Sequence, residues 1–127
     1  MKRRFNVLLA SLLAITLGAV ACAKKATPTE VAKAFAEAMA KEDNEAMKRL
    51  LSKRALQKLV EQEQKQNEPG VIMLQTAVGL KSPAQCRNEK IEGDRATVEC
   101  ESGSGPFPIP LIKENGAWRI HPPYAEK

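Results

Sequence analysis

Residues 27–41, TPTEVAKAFAEAMAK, carry the signals from which we begin to predict the fold. Thr27 is suited to cap a helix, Pro28 fits the first helical position, and Glu30 completes a capping box three residues after the cap. The apolar residues that follow recur at helical spacing and define one stripe: Val31, Ala34, Phe35, Ala38 and Met39. The stretch therefore predicts an amphipathic helix over residues 28–41, packed by that stripe against a core.

Two more helices are expected directly after it. Asp43 can cap a second helix and Ser52 a third. Their apolar positions repeat the same spacing, in the order Ala46, Met47, Leu50, Leu51, then Ala55, Leu56, Leu59, Val60. The polar run 61–68 is expected to end the third helix at Pro69-Gly70. The apolar segment 71–80 fits a further helix better than a strand.

The pattern changes to strands after Pro83. Residues 87–91 and 95–101 flank Glu92-Gly93-Asp94, which predicts a hairpin. Residues 103–110 are rich in Gly and Pro and suggest a connection. Because proline lacks an N–H donor, Pro108 and Pro110 are expected to restrict residues 107–111 to an edge position or a late-starting strand.

The last hairpin has the clearest turn signal. Asn115-Gly116 is the preferred pair for a two-residue type I′ turn. Such a turn places Lys113 opposite Trp118 and Leu111 opposite Ile120. Leu111, Trp118 and Ile120 would then share one face, where we expect them to be buried.

Cys86 and Cys100 form an even pair of thiols once Cys22 is set aside, which predicts a disulfide if the chain is exported. Two hairpin registers compete. A three-residue turn centred on Gly93 places the two cysteines directly opposite each other, whereas a two-residue turn pairs Ile91 with Ala96 and turns Cys86 to the other face. A bulge near Cys86 would reconcile them. We predict the disulfide.

Residues 1–22 have the order of a secretory signal peptide. Lys2, Arg3 and Arg4 precede an uncharged run from Phe5 to Cys22, too short for a membrane-spanning helix. The end of the run, Ala19-Val20-Ala21-Cys22, resembles the lipobox of bacterial lipoproteins, with Ala19 where Leu is commonest. We expect a signal peptide over 1–21, lipid on Cys22, a tether over 22–26 and one domain over 27–127. Ala23 after the cysteine would favour outer-membrane delivery in a Gram-negative cell.

Charge argues against a nucleic-acid partner. Three of the 20 basic residues and none of the 15 acidic ones lie in residues 1–21, which leaves 17 basic and 15 acidic residues, a net charge of +2. No basic stripe interleaved with aromatic residues remains. Two cysteines and one histidine do not form a zinc ligand set either, so we expect no metal and no cofactor.

Catalysis has little support in the sequence. His121 is the single histidine, and the partners it would need are Tyr124, Asp94 or Glu126. We interpret it as an ordinary surface or strand-end residue and predict no catalytic residues. Ser102-Gly103-Ser104-Gly105 lacks the glycine two positions before Ser104 that a nucleophile elbow requires, so we interpret it as a turn.

Taken together, the segments resemble the nuclear transport factor 2-like (cystatin-like) cone, and more narrowly small bacterial lipoproteins with a domain of unknown function on that fold. The resemblance covers residues 27–121, through residues 27–32, Phe35, Ala38-Met39, Asp43, residues 93–98 and residues 110–120. It implies an α+β fold in which N-terminal helices pack on a curved antiparallel sheet that can enclose a pocket. It implies no single function.

We therefore expect an envelope lipoprotein, anchored in the membrane through lipid on Cys22. Its expected role is non-catalytic, binding either a small apolar ligand or an envelope protein, with ligand-binding residues left open. The alternatives are a small hydrolase or isomerase that uses the cone pocket, and a structural or stress-response surface lipoprotein.

Overall fold

The computed structural model describes residues 25–66 and 84–127. The leader, Cys22 and the predicted helix over 71–80 lie outside the described residues. Three helices precede a four-stranded sheet and a short 3-10 helix: α1 Pro28–Ala40, α2 Asn44–Leu50, α3 Lys53–Gln66, β1 Cys86–Glu92, β2 Arg95–Ser102, β3 Gly105–Glu114, β4 Ala117–Ile120 and the 3-10 helix Pro123–Ala125. The sheet is an open antiparallel meander in the order β1-β2-β3-β4. The α+β class is confirmed.

The three predicted helix caps are present. Thr27 and Glu30 form the capping box of α1, in which each side chain accepts a hydrogen bond from the other residue's backbone N–H. The Ala46 N–H donates to Asp43 Oδ1 at the start of α2 over 3.1 Å. The Ala55 N–H donates to Ser52 Oγ at the start of α3, also over 3.1 Å. These bonds satisfy helical N–H groups that have no partner within the helix.

The apolar stripes are turned slightly from their predicted positions. Ala34 is exposed, whereas Ala32 and Ala36 are completely buried. Val60 of α3 was expected in the core but is 37% exposed. At 3.6 residues per turn, a small rotation of the helix exchanges such flanking positions, and packing against the sheet sets that rotation.

One face of the sheet packs against the helices and supplies the strand side of the core. Its buried apolar residues are Ala96, Val98, Cys100, Ile109, Leu111 and Ile120, and α1 covers them with Val31, Phe35 and its buried alanines. Each fully buried Leu or Ile side chain stabilises the fold by about 1.5–3 kcal/mol through its removal from water.

The first hairpin contains both of the competing registers, one near its turn and one at its far end. Near the two-residue turn, Ile91 lies opposite Ala96, and at the far end Cys86 lies opposite Cys100. The register shifts between Arg87 and Lys90, where Asn88 has a φ of 56°. Asparagine tolerates this left-handed conformation, so the bulge supplies the one-residue slip that the disulfide needs. Ile91 is nevertheless 52% exposed, because β1 is the edge strand and lies largely outside the cover of the helices.

Cys86 and Cys100 form the predicted disulfide, with their Cα atoms 4.0 Å apart. Cys100 is buried in the core, whereas the strand residues of β1 beyond Cys86 are exposed. The bond thus attaches a poorly buried edge strand to the core.

The last hairpin has the predicted register. Lys113 lies opposite Trp118 and Leu111 opposite Ile120, and both turn residues have positive φ, 49° at Asn115 and 77° at Gly116. Leu111 and Ile120 are buried, but Trp118 is only partly buried and carries Lys113 Nζ 5.6 Å from its ring centroid. Burial of Trp118 was therefore predicted too strongly.

The Gly- and Pro-rich segment is a strand and not a connection. β3 begins at Gly105 and pairs with β2 along its length, from Ser102↔Gly105 to Arg95↔Ile112. The prediction of a connection over residues 103–110 is therefore wrong. The expected edge position is correct in a local sense, because β4 pairs with residues 111–114 and, within residues 25–66 and 84–127, one side of residues 105–110 has no strand partner.

Removal of the disulfide tests how β1 is held. The Cys86→Ala, Cys100→Ala double variant is expected to lower the free energy of unfolding by about 3 kcal/mol, because the bond closes a short loop in the unfolded chain. Urea denaturation of the unreduced proteins measures the difference. Thiol titration of the denatured wild type is the control, and both cysteines should be unreactive. Reactive Cys86 and Cys100, or a loss below about 1 kcal/mol, would contradict this account.

Candidate functional site

An apolar groove lies where β4 ends and β3 continues alone. It is a cavity of about 550 Å³ between α1, the unpaired part of β3 and the C-terminal residues that follow β4. We call it the β3 groove. Its lining consists of Phe35, Met39, Thr97, Phe107, Pro108, Ile109, Pro110, Ile120, Pro122, Pro123 and Tyr124.

Three prolines alternate along the free side of β3. The Lys113 N–H donates to Asp94 O toward β2, so the N–H groups of odd-numbered residues point to β2. Residues 106, 108 and 110 then direct their backbone groups to the other side, and Pro110 O accepts from the His121 N–H there. Proline has no N–H, but these three positions face away from β2, so the β2–β3 ladder loses no hydrogen bond. The free side of this stretch offers acceptors without donors.

The lining has almost no polar chemistry. Among the described residues that line it, the hydroxyl groups belong to Thr97 and Tyr124, and none carries a charge at neutral pH. Burial raises the pKa of Tyr124 to about 12, so the phenol stays neutral. The Tyr124 hydroxyl donates to Ala55 O over 3.4 Å, which attaches this wall of the groove to α3.

A polar network that begins at the buried Ser52 and His121 and ends at the exposed Glu126 and Arg95 holds the C-terminal wall in place. Ser52 Oγ lies 2.7 Å from His121 Nδ1, and His121 Nε2 lies 3.2 Å from Glu126 Oε1. Glu126 also accepts from Arg95 Nη1 over 2.6 Å. Arg95 lowers the pKa of Glu126 and Glu126 raises that of Arg95, chiefly through this hydrogen bond. Pro122, Pro123 and Tyr124 lie between the two anchored residues, so the network positions three lining residues of the β3 groove.

Ser52 connects His121 to the start of α3. Its Oγ takes part in two hydrogen bonds, one with His121 Nδ1 and one accepted from the Ala55 N–H over 3.1 Å. The direction of the first bond follows the tautomer of the imidazole. On the other side of the ring, Nε2 lies at ion-pair distance from the Glu126 carboxylate.

The serine, histidine and carboxylate do not have the geometry of a nucleophilic triad. In such triads the histidine contacts the serine through Nε2 and the acid through Nδ1, the reverse of the order here. Ser52 is also completely buried and caps α3. A substrate cannot reach its oxygen without unfolding the start of that helix.

The sequence predictions for His121 are partly wrong. It was expected at the surface or at a strand end. It does follow the end of β4, but it is only 7% exposed. Of its three proposed partners, Glu126 lies beside it, whereas Asp94 occupies the β1–β2 turn. Ser52 was predicted only as a cap, because nothing in the sequence links it to a residue 69 positions away.

Other predicted site residues fall outside this region. The disulfide of Cys86 and Cys100 attaches β1 and does not line the β3 groove. Within residues 25–66 and 84–127, no group of three potential metal ligands is assembled, and no helix has the length and apolarity required to cross a membrane. The alternating prolines at 106, 108 and 110 and the pair at 122–123 were the available signals for the β3 groove.

Ser52→Ala tests the network. It removes the cap of α3 and leaves His121 Nδ1 buried without a partner, so we expect a loss of about 2 kcal/mol in the free energy of unfolding. The matched control is Thr27→Ala, which removes an exposed cap with no buried partner and should lose about 1 kcal/mol. Urea denaturation compares them. Equal losses would mean that the bond to His121 contributes nothing beyond the cap.

Comparison with known proteins gives one match. A family model described as Protein of unknown function (DUF2950) matches residues 23–126, which is most of the chain. No curated protein and no solved structure matches the chain significantly. The matched range begins directly after Cys22 and includes all the helices and strands described above. The chain therefore belongs to the DUF2950 family of proteins of unknown function.

Proposed function

We propose that the protein is a lipid-anchored envelope protein that binds a small, neutral, apolar ligand in the β3 groove. The observation that carries the proposal is the groove itself, an opening of about 550 Å³ with an apolar lining. Protein interiors are close-packed, so an opening of this size with an apolar lining is the default candidate for a ligand site.

The lining indicates the chemical class of the ligand. Aromatic rings, proline rings and aliphatic side chains surround the β3 groove, and two hydroxyl groups are its side-chain polar atoms. A charged ligand would lose its hydration here without gaining an opposite charge, which is strongly unfavourable. A neutral ligand with an extended apolar body and at most one hydrogen-bonding group fits the lining better.

The free side of β3 argues against a peptide as the occupant. A peptide that adds a strand to a sheet edge exchanges N–H and C=O groups with that edge. Residues 106, 108 and 110 supply no N–H, and Pro110 O is already bonded to His121. Proline on an exposed edge is a common obstacle to such pairing. We therefore favour a small ligand over the envelope protein that the sequence left as an alternative.

Binding is also favoured over catalysis. The part of the lining that the structure describes brings no carboxylate and no histidine to the cavity, and Tyr124 is held neutral by burial. His121 and Ser52 lie behind the C-terminal wall and are hydrogen-bonded to each other. A hydrolase or isomerase would need such groups within reach of a bound substrate.

The anchor and the cellular location belong to the same proposal. The leader over 1–21 and the lipobox-like residues before Cys22 support acylation of that cysteine, on the periplasmic face of the outer membrane if the cell is Gram-negative. The disulfide supports an oxidising compartment. Helices followed by an antiparallel meander support the likeness to the nuclear transport factor 2-like cone.

Binding is tested with N-phenylnaphthylamine, a neutral apolar fluorophore whose emission rises in apolar sites. Wild-type protein should bind it, and Met39→Lys should weaken binding at least about tenfold, because the ammonium group would be brought into the apolar lining. Fluorescence titration measures both dissociation constants.

Ile91→Lys is the matched control, since Ile91 is an exposed apolar residue outside the β3 groove. It should leave binding unchanged. Failure of the wild type to enhance fluorescence, or an equal loss in both variants, would contradict the proposed site. Circular dichroism of the two variants establishes that each is folded.

Acylation is tested by mass spectrometry of protein extracted from membranes. The mature chain should begin at Cys22 and carry acyl chains on it, and Cys22→Ser should appear in the soluble fraction. The reason is that each buried CH₂ group of an acyl chain contributes about 0.8 kcal/mol to membrane binding. An unmodified N-terminus on soluble wild-type protein would contradict the anchor.

A further inference from the structure

The chain enters the domain beside the turns at one end of the sheet. The Lys113 N–H donates to Asp94 O over 2.7 Å, so the β1–β2 and β3–β4 turns are neighbours. Lys25, the first described residue, lies over the second of these turns. A Cβ placed on Gly116 would be only 2.9 Å from Lys25 Nζ. The side chain of the first described residue therefore contacts the Asn115-Gly116 turn.

The distance from that turn to the proposed anchor is short. Cys22 precedes Lys25 by three residues, which span at most about 11 Å when fully extended. If acyl chains on Cys22 are inserted in a bilayer, Lys25 cannot lie farther than this from the lipid headgroups. The turn that Lys25 contacts is then held close to the membrane surface.

The side chains around this turn have the chemistry of a membrane interface. Trp118 is only partly buried and lies under the ammonium group of Lys113. Tryptophan prefers the headgroup level of a bilayer, and a lysine stem can lie along apolar surface with its charge at the headgroups. Lys25 adds a second cation.

Acidic residues also lie at this end of the sheet. Glu30 accepts from the Thr27 N–H and Glu114 from the Lys53 N–H, so each of these carboxylates is directed to a backbone donor. Glu92 and Asp94 belong to the neighbouring β1–β2 hairpin. The cations and the tryptophan of the contact belong to the start of the described chain and to the β3–β4 hairpin.

We propose that the β3–β4 turn, with Lys25, Lys113 and Trp118, rests on the headgroups of an anionic lipid bilayer. The proposal depends on the lipid anchor of the proposed function and adds an orientation to it. The same strand that ends at this turn lines the β3 groove farther along. At about 3.4 Å per residue, Pro110 lies about 17 Å and Phe107 about 27 Å along β3 from Asn115. The β3 groove then lies away from the bilayer, on the side of the aqueous compartment.

Trp118 is the single tryptophan of the chain and reports on this contact directly. The acylated full-length protein is reconstituted into vesicles of phosphatidylethanolamine and phosphatidylglycerol, with acyl chains brominated near the headgroup as the quencher. We expect a blue shift of Trp118 emission and loss of most of its intensity. Substitution of Lys25 and Lys113 by Glu should reverse much of this loss.

The control places the reporter at the opposite end of the sheet. Ser104 is exposed in the β2–β3 turn, and Ser104→Trp in a Trp118→Phe background should show little quenching in the same vesicles. Equal quenching of the two reporters, or none of Trp118 in protein that floats with the vesicles, would overturn the orientation alone. Protein that does not float with the vesicles would instead refute the anchor, and the orientation with it.

Discussion

The hydrogen-bonded junction of Ser52, Ile120 and His121 connects the helices, the sheet and the C-terminal residues. The Ser52 N–H donates to Ile120 O over 2.8 Å, and Leu51 forms an isolated parallel bridge with Ile120. The connection between α2 and α3 thus pairs with the outer side of β4. At the same point Ser52 Oγ caps α3 and contacts His121. A single buried serine therefore connects three parts of the chain that are far apart in sequence.

The groove follows from that junction. β4 ends at Ile120. The residues that follow are held in place because His121 contacts Ser52 on one side and Glu126 on the other. Residues 105–110 of β3 consequently keep one free side, which in most sheets would invite another strand. Prolines there remove the donors while the ladder to β2 stays complete. The edge is thereby protected from pairing and remains available to apolar contacts.

The edge strand β1 shows how covalent and conformational features combine. Most of its residues are exposed, so burial contributes little to its attachment. The disulfide attaches one end, and the Asn88 bulge allows the turn end to keep its own register. Next to the bulge, Glu89 accepts two hydrogen bonds from Thr29 at the start of α1, each 2.9 Å. Helix and edge strand are thus joined where neither is deeply buried.

Local signals in the sequence determined the elements, and tertiary packing determined the site. Caps at Thr27, Asp43 and Ser52 and the Asn115-Gly116 turn act through neighbouring residues, so all four could be predicted. The β3 groove and the contact of Ser52 with His121 involve residues 69 positions apart or on separate elements, and no local pattern encodes such distances. The prolines of β3 were misinterpreted for the same reason. A strand tolerates a residue without an N–H donor only where that position faces a side with no strand partner. In β3 the point at which β4 ends determines where that side begins.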